Sequence, residues 1–291
     1  MQTRFIVNPR AGAARAAADA VRAAAARLGA TVEFTTGPRH ASTLAAQAIA
    51  DGCGLIVAVG GDGTLNEVAS RLVGTSAILG LVPCGSGNGL GRHLGVHGSV
   101  RRSLHLLSSG KPRRIDTGIV DGHPFFTVAG LGFEAEVSAA FNLLSTRGFF
   151  RYLGTAARLW RQHRSEDCRI EADGRHFSAR LFTLAVANTD QYGNRARISP
   201  GARIDDGLLD LTVIPSVSLG QAVPLLTRLF TGTIAGGRGV QRAQAARIAI
   251  ERSRPGLIHT DGEIHAAGLR IEFSVLPGSL SVLAPTEPTS R

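Results

Sequence analysis

Leu55-Ile-Val-Ala-Val-Gly-Gly-Asp-Gly-Thr-Leu-Asn-Glu67 is an apolar run that stops on two glycines, an acid, a third glycine and a threonine. Leu55 to Val59 is apolar without alternation, the pattern of a strand covered on both faces of a parallel sheet. Gly60, Gly61 and Gly63 let backbone N–H groups approach a ligand, because no Cβ stands in the way and positive φ is cheap. Thr64 and Glu67 have the Thr-x-x-Glu spacing of a capping box. A helix is therefore expected from Leu65, with its free N–H groups and positive dipole end turned toward the loop. Asp62 is the odd residue: a carboxylate facing phosphates repels them unless it holds a metal ion or bonds a neutral group. A Mg²⁺–nucleotide is the expected guest. Glycines alone would describe any strand-to-helix turn of an α/β protein, and it is the acid that points to a nucleotide.

Working outward, the first half alternates strand and helix. Thr3 to Val7 reads as a strand, Asn8 to Gly12 as a turn, Ala13 to Leu28 as a helix, Thr31 to Thr35 as a strand and Ala41 to Ala50 as a helix. After the central loop comes a helix to about Leu72, then a strand from Ala77 to Val82. Regular βαβ alternation implies a parallel sheet with ligands at the carboxyl ends of its strands. Two more loops fall at that edge, Asn8-Pro-Arg-Ala-Gly12 and Pro83-Cys-Gly-Ser-Gly-Asn-Gly-Leu-Gly91. The second repeats the logic of the first glycine loop, with Ser86 and Asn88 as short polar groups near a helix start.

Beyond Lys111-Pro-Arg-Arg114 the character changes. Ile115 to Ala129 gives two short strands around Asp121-Gly122, and further strands are expected at Cys168–Ala172, Phe177–Ala187, Leu208–Ile214, Arg247–Glu251 and Leu269–Leu276. Helices are expected over Glu134–His163 and Leu219–Thr231. The expected organisation is an α/β domain over 1–114, to which 279–291 returns, and a β-rich domain over 115–278.

At 291 residues, 44% hydrophobic and 19% charged, the chain is long enough for two domains with sizeable cores. No run approaches the ~18 apolar residues of a membrane span. No secretory pattern is visible, so a cytoplasmic location is expected. Cys53, Cys84 and Cys168 are odd in number and widely spaced, which argues against disulfides and zinc. The net charge of +10 rests on arginine, because Lys111 is the only lysine. Walker A and protein-kinase machinery each need a phosphate-contacting lysine, so phosphates here fall to backbone amides, arginine and metal. An arginine excess suits nucleic acid or anionic lipid.

The order Asn8-Pro-x-x-Gly12, Gly60-Gly-Asp-Gly-Thr64 and Pro83-x-Gly-Ser-x-Asn88 resembles the lipid kinases of the diacylglycerol and sphingosine kinase type, and the glycine loop is shared with NAD kinases. The chain departs from bacterial diacylglycerol kinases at Gly89, where Asp is usual. The resemblance implies an α/β N-terminal domain with a parallel sheet and a mainly antiparallel β-sandwich C-terminal domain. It implies ATP and Mg²⁺ bound by Asn8, Pro9, Gly12, Thr36, Gly60, Gly61, Asp62, Gly63, Thr64, Asn66, Glu67, Gly85, Ser86 and Asn88.

Three further motifs gain meaning only through that resemblance. His259-Thr-Asp-Gly-Glu263 alone is a hairpin turn; in the family an Asp-Gly-Glu turn of the β domain supplies the base, which makes Glu263 the base and Asp261 its metal-side or orienting partner. Asp116 carries over as a second carboxylate. Arg203-Ile-Asp-Asp-Gly-Leu208 resembles the family's structural Mg²⁺ turn, with the Asp206 carboxylate beside the carbonyls of Arg203 and Leu208. The same letters are also an everyday hairpin signal.

Thr146 to Arg164 is basic and amphipathic: Phe149, Leu153, Ala156 and Trp160 share one helical face, and Arg147, Arg151 and Arg158 the opposite one. It fits an interfacial helix on anionic lipid and equally a helix packed on its own sheet. The expectation is an ATP-dependent lipid kinase acting on a diacylglycerol- or sphingoid-like hydroxyl at a membrane surface, peripherally attached, with no nucleic acid partner; a homodimer is compatible with the sequence. An NAD kinase and a catalytically silent nucleotide-binding regulator are the alternatives, the latter resting on Gly89.

Overall fold

The structure is a computed structural model that describes residues 1–143 and 149–286. Its contacts divide the chain into two units: Met1–Thr117 with the segment from Pro277 onward, and Gly118–Leu276.

In the first unit β1 (Thr3–Val7), β2 (Thr31–Phe34), β3 (Leu55–Gly60) and β4 (Ile78–Pro83) make a parallel sheet in the order β4-β3-β1-β2. The crossovers are α1 (Ala18–Arg27), α2 (His40–Ala50) and α3 (Asp62–Leu72). α4 (Gly89–His93) and α5 (Val100–Ser109) follow β4. Leu55, Val57 and Val59 of β3 pack with Phe5, Val7, Val21 and Leu104. Ile56 and Ala58, pointing the other way, are just as buried. A strand covered on both sides has no use for polar residues, which is why β3 reads as an unbroken apolar run.

Two helix starts differ from expectation. α1 begins at Ala18 rather than Ala13, because Gly12 sits at φ +25° and Ala13 N–H donates to Cys84 O at 3.2 Å, tying the chain to the second glycine loop. α3 begins at Asp62 rather than Leu65, and the Thr64–Glu67 capping box does not form. Both residues lie inside the helix and serve distant partners. Thr64 Oγ1 accepts from Asn8 Nδ2 at 3.0 Å, and Glu67 accepts the N–H groups of Arg39 and Ser42 at 3.0 and 3.3 Å, where α2 begins.

β5 (Lys111–Val120) carries the chain across the division. The second unit continues with β6 (His123–Phe125), β7 (Val128–Gly132), α6 (Phe133–Asn142), α7 (Phe149–Trp160), β8 (Glu166–Ala172) and β9 (Arg175–Ala187). Then come β10 (Leu209–Pro215), α8 (Leu219–Thr231), β11 (Gln241–Ala245), β12 (Arg247–Arg252), β13 (Gly256–Thr260), β14 (Glu263–Ala267) and β15 (Arg270–Ala284). The helical stretch expected near Glu134–His163 holds α6 and α7. The strands are antiparallel in the order β14-β13-β7-β9-β8-β12-β15, and β10 joins β9 to β11. Side-chain alternation along β9 feeds two cores: Leu184 and Val186 lie with Phe125, Leu131, Leu211 and Ile250, whereas Ala185 and Ala187 lie with Phe133, Val137 and Ile214. This is a mainly antiparallel, sandwich-like unit. β15 then re-enters the first unit, where Ser281 and Val282 pair in parallel with Ile78 and Leu79 of β4.

Candidate active site

Within the first unit the three expected loops meet at the carboxyl ends of β1, β3 and β4. Asn8 Nδ2 reaches Thr64 Oγ1, while its Oδ1 closes on Arg10 N–H at 3.0 Å and fixes the Asn8–Gly12 turn. Cys84 N–H donates to Gly60 O at 2.7 Å. Asn88, left-handed at φ +53°, ties its own loop with Oδ1 on Gly85 N–H at 3.1 Å and Nδ2 on Gly85 O at 2.7 Å. Arg92 Nε adds a bond to Gly87 O at 2.8 Å.

The glycines divide by what they face. A Cβ on Gly12 would land on Cys84 O, one on Gly85 would lie 2.8 Å from Gly61 Cα, and one on Gly87 would lie 2.6 Å from Asp62 Oδ2. These glycines let the loops pack on each other. Gly63 is different: a Cβ there meets nothing within 4 Å, and it sits in the first turn of α3 where the N–H groups are free of intrahelical partners. Its openness faces outward.

Asp62 completes the reading of the loop. Its Oδ2 accepts Asn88 N–H at 2.8 Å and its Oδ1 accepts Gly89 N–H at 2.9 Å. The acid between the glycines fastens one loop to the other and holds the first N–H groups of α4, which is the bond to a neutral group that an acid in a phosphate loop requires. Of the remaining expected nucleotide residues, Pro9 and Ser86 are exposed in their loops, Asn66 is half-buried on α3, and Thr36 lies just past β2 with its N–H on His40 Nδ1 at 3.0 Å. Asp116 is buried on β5 and its Oδ1 accepts Gly278 N–H at 2.7 Å.

Within the second unit Asp261 and Gly262, at φ +50° and +89°, make the two-residue turn between β13 and β14. The Asp261 carboxylate folds back on the β6–β7 connection. It accepts Phe126, Thr127 and Val128 N–H at 2.8, 2.9 and 3.0 Å and also takes the Thr127 hydroxyl. Burial pushes this carboxyl above the ordinary range, against the pull of those four donors. Asp261 thus holds the turn in place. Asn142 Nδ2 of α6 donates to Gly262 O at 2.8 Å. Glu263 is exposed at the start of β14, where its backbone pairs with Thr260, and its side chain makes no hydrogen bond or ion pair to another described residue, though its charge acts on nearby His265. The turn is tied down on its polar backbone while its one outward acid is left free.

Behind the turn lie residues that sequence reading missed. His259 Nε2 meets Glu134 Oε1 at 3.1 Å, Tyr192 OH donates to Glu134 Oε2, and Gly262 N–H donates to His259 Nδ1 at 3.4 Å. His259 was inside the quoted motif, and the glycine at Gly130, four residues before Glu134, was the other visible signal. His265, two residues past Glu263, stacks on His123 at 3.8 Å; burial, then the neighbouring His123, hold its pKa below the usual value.

At the expected metal turn Asp206 Oδ1 accepts Leu208 N–H at 3.1 Å, and the Arg203 guanidinium pairs with Asp205 at 3.4 Å. The expected donor set for a hard cation is the Asp206 carboxylate, with one oxygen engaged by Leu208 N–H, and the backbone carbonyls of Arg203 and Leu208. Among the described residues no group of three or more His, Cys, Asp or Glu side chains is placed to hold a metal.

α7 packs part of its apolar face on its own unit. Trp160 packs on Phe133 and Phe182, with ring centroids 5.4 and 4.4 Å away, and Ala156 and Leu159 join the same core. Ala156, Leu159 and Trp160 thus pack on their own unit; the side chains of Phe149 and Leu153 lie outside the described residues. Arg151 and Arg158 are exposed, and Arg147 lies outside the described residues. Among the described residues no helix is long and apolar enough to cross a membrane.

Both units match known families. Residues 2–120 match the family described as "Diacylglycerol kinase catalytic domain" and residues 127–284 that described as "YegS C-terminal NAD kinase beta sandwich-like domain". The chain is 33% identical over 281 residues to "Probable lipid kinase YegS-like" of Pseudomonas fluorescens (strain Pf-5), covering 94% of this chain and 91% of that one. It is 32% identical to the protein of the same description from Pseudomonas aeruginosa (strain UCBPP-PA14), covering 93% and 89%. The fold is shared with a crystal structure described as a diacylglycerol kinase from Bacillus anthracis str. Sterne, at TM-score 0.75 and 19% identity over 98% of this chain and 97% of that one. The chain belongs to the YegS-like lipid kinases of the diacylglycerol kinase family.

Proposed function

We propose that this protein transfers the γ-phosphoryl group of Mg·ATP to the hydroxyl of a diacylglycerol- or sphingoid-like lipid. The observation that carries the reading is Glu263: an unengaged carboxylate on a turn whose neighbouring polar groups are all fastened. In the reaction the lipid oxygen bonds to the γ-phosphorus, the bond from that phosphorus to the β,γ-bridging oxygen breaks, ADP leaves, and the hydroxyl proton passes to Glu263. Asp261 keeps the turn in register by its bonds to 126–128. The nucleotide is taken by the three converged loops, its phosphates over the start of α3 at Gly63, where N–H groups and the helix dipole favour negative charge. Mg²⁺ arrives with the nucleotide and offsets phosphate charge.

The names of the relatives support the lipid as acceptor, and the arginine excess supports docking on an anionic surface, at ~1 kcal/mol per arginine near the bilayer. The test is to incubate the protein with labelled ATP, Mg²⁺, mixed lipids and NAD. Label in the organic phase is expected; label in NADP, or in no product, overturns the reading.

A further inference from the structure

Glu134 and His259 are both charged or titratable, both almost fully enclosed at 8% and 3% exposure, and neither is needed to complete the sandwich core. Their enclosure is built. A Cβ on Gly130 of β7 would land on Glu134 Oε1, so the strand carries a glycine where the carboxylate crosses it. Both Glu134 oxygens are used, one by Tyr192 OH and one by His259 Nε2.

That pairing decides where the imidazole proton sits. Glu134 accepts, so Nε2 carries the hydrogen, and Nδ1 is left as a lone-pair acceptor for Gly262 N–H. Gly262 immediately precedes Glu263, and its carbonyl is held from the other side by Asn142. The peptide unit that aims Glu263 is gripped through its flanking groups, by Asn142 on the carbonyl and on the N–H by a chain running from half-buried Tyr192 through buried Glu134 and His259.

We propose that His259 is a positioning residue for Glu263, fixed in one tautomer by Glu134 and Tyr192 and acting through Gly262 N–H. This rests on the reading of Glu263 as the base. The placement of a general base matters to the transfer step and hardly to nucleotide binding, since a displacement of ~1 Å can cost ~10²-fold in rate.

Two substitutions separate the halves of the imidazole. His259→Asn keeps an acceptor near the Nδ1 position and loses the donor to Glu134; His259→Gln keeps a donor near Nε2 and loses the acceptor for Gly262. The expected result is crossed: His259→Asn lowers the melting temperature yet keeps kcat within about threefold, while His259→Gln keeps the melting temperature and loses kcat by roughly 10- to 100-fold with the KM for ATP unchanged. In a Glu263→Gln background, His259→Gln should add no further loss, because residues acting as a unit are not additive. If both His259 variants lose kcat in step with their melting temperatures while Glu263→Gln alone is strongly impaired, the positioning role is overturned and the base stands. If Glu263→Gln retains wild-type kcat, both fall together.

Discussion

The carboxylate of Asp62 grips the backbone of Asn88, with Oδ2 on the Asn88 N–H at 2.8 Å and Oδ1 on the next N–H, that of Gly89, at 2.9 Å. An acid set among glycines, which invites a metal-binding role, is here the fastener between two phosphate-sized loops. Charge-assisted bonds to backbone N–H contribute more than neutral ones, about 1.5–3 kcal/mol each.

Asp62→Ala should therefore lower both the melting temperature and the affinity for ATP, with activity falling by more than tenfold, a loss of ~1.4 kcal/mol or more in transition-state stabilisation. Asp62→Asn retains one acceptor oxygen and should fall between wild type and Asp62→Ala on both measures. Thermal melts and calorimetric titration with ATP check this. A metal-holding role would show instead as two equally inactive variants with unchanged melting temperatures.

Glycines facing protein and a glycine facing outward should respond differently. Gly12→Ala puts a methyl group onto Cys84 O at a positive φ, so the protein should be destabilised by more than the ~1 kcal/mol typical of a point change. Gly63→Ala meets no protein atom and should leave the melting temperature unchanged or raised, because alanine favours a helix. It should raise the KM for ATP, since the methyl group stands where phosphate is proposed to approach. Unchanged ATP affinity in Gly63→Ala would remove phosphate from that position.

The cysteines set a pH dependence. Burial pushes the Cys84 thiol up to about 11 and the Cys168 thiol up to about 12. A thiol raised in the folded state keeps its proton where the unfolded chain gives it up, so these groups cost stability as pH rises above ~8.5 and cost none below it. The native protein should also resist alkylation at both positions at pH 9, and react once unfolded. Site-resolved mass spectrometry after iodoacetamide treatment reads this directly, and rapid native labelling of Cys84 at pH 8 would contradict it.

The sheet of the first unit was legible because Leu55–Val59 and the loops after it obey local rules: apolar strand, glycine approach, helix start. What failed were inferences that assigned side chains to near neighbours. Thr64 and Glu67 looked like each other's partners, yet they bond Asn8, 56 positions away, and Arg39, 28 away. The role of Asp261, metal-side or orienting, stayed open in the sequence because its partners at 126–128 are 133 to 135 residues distant and have no sequence signal at all. β11 escaped notice because Gln241–Ala245 is a polar, largely exposed strand without alternation. The Tyr192–Glu134–His259 chain spans three segments that only the folded sandwich brings together. Glycines and apolar runs declare themselves locally, whereas polar networks are written in contacts between segments.

The most direct measurement is the turnover of Glu263→Gln with ATP, Mg²⁺ and a diacylglycerol or sphingoid substrate. The substitution keeps the size of the side chain and removes its basicity. If Glu263 takes the hydroxyl proton, kcat should fall by roughly 10²–10⁴ while ATP affinity and melting temperature stay at wild-type values. Preserved kcat with weakened ATP binding would contradict that role and make Glu263 a nucleotide contact.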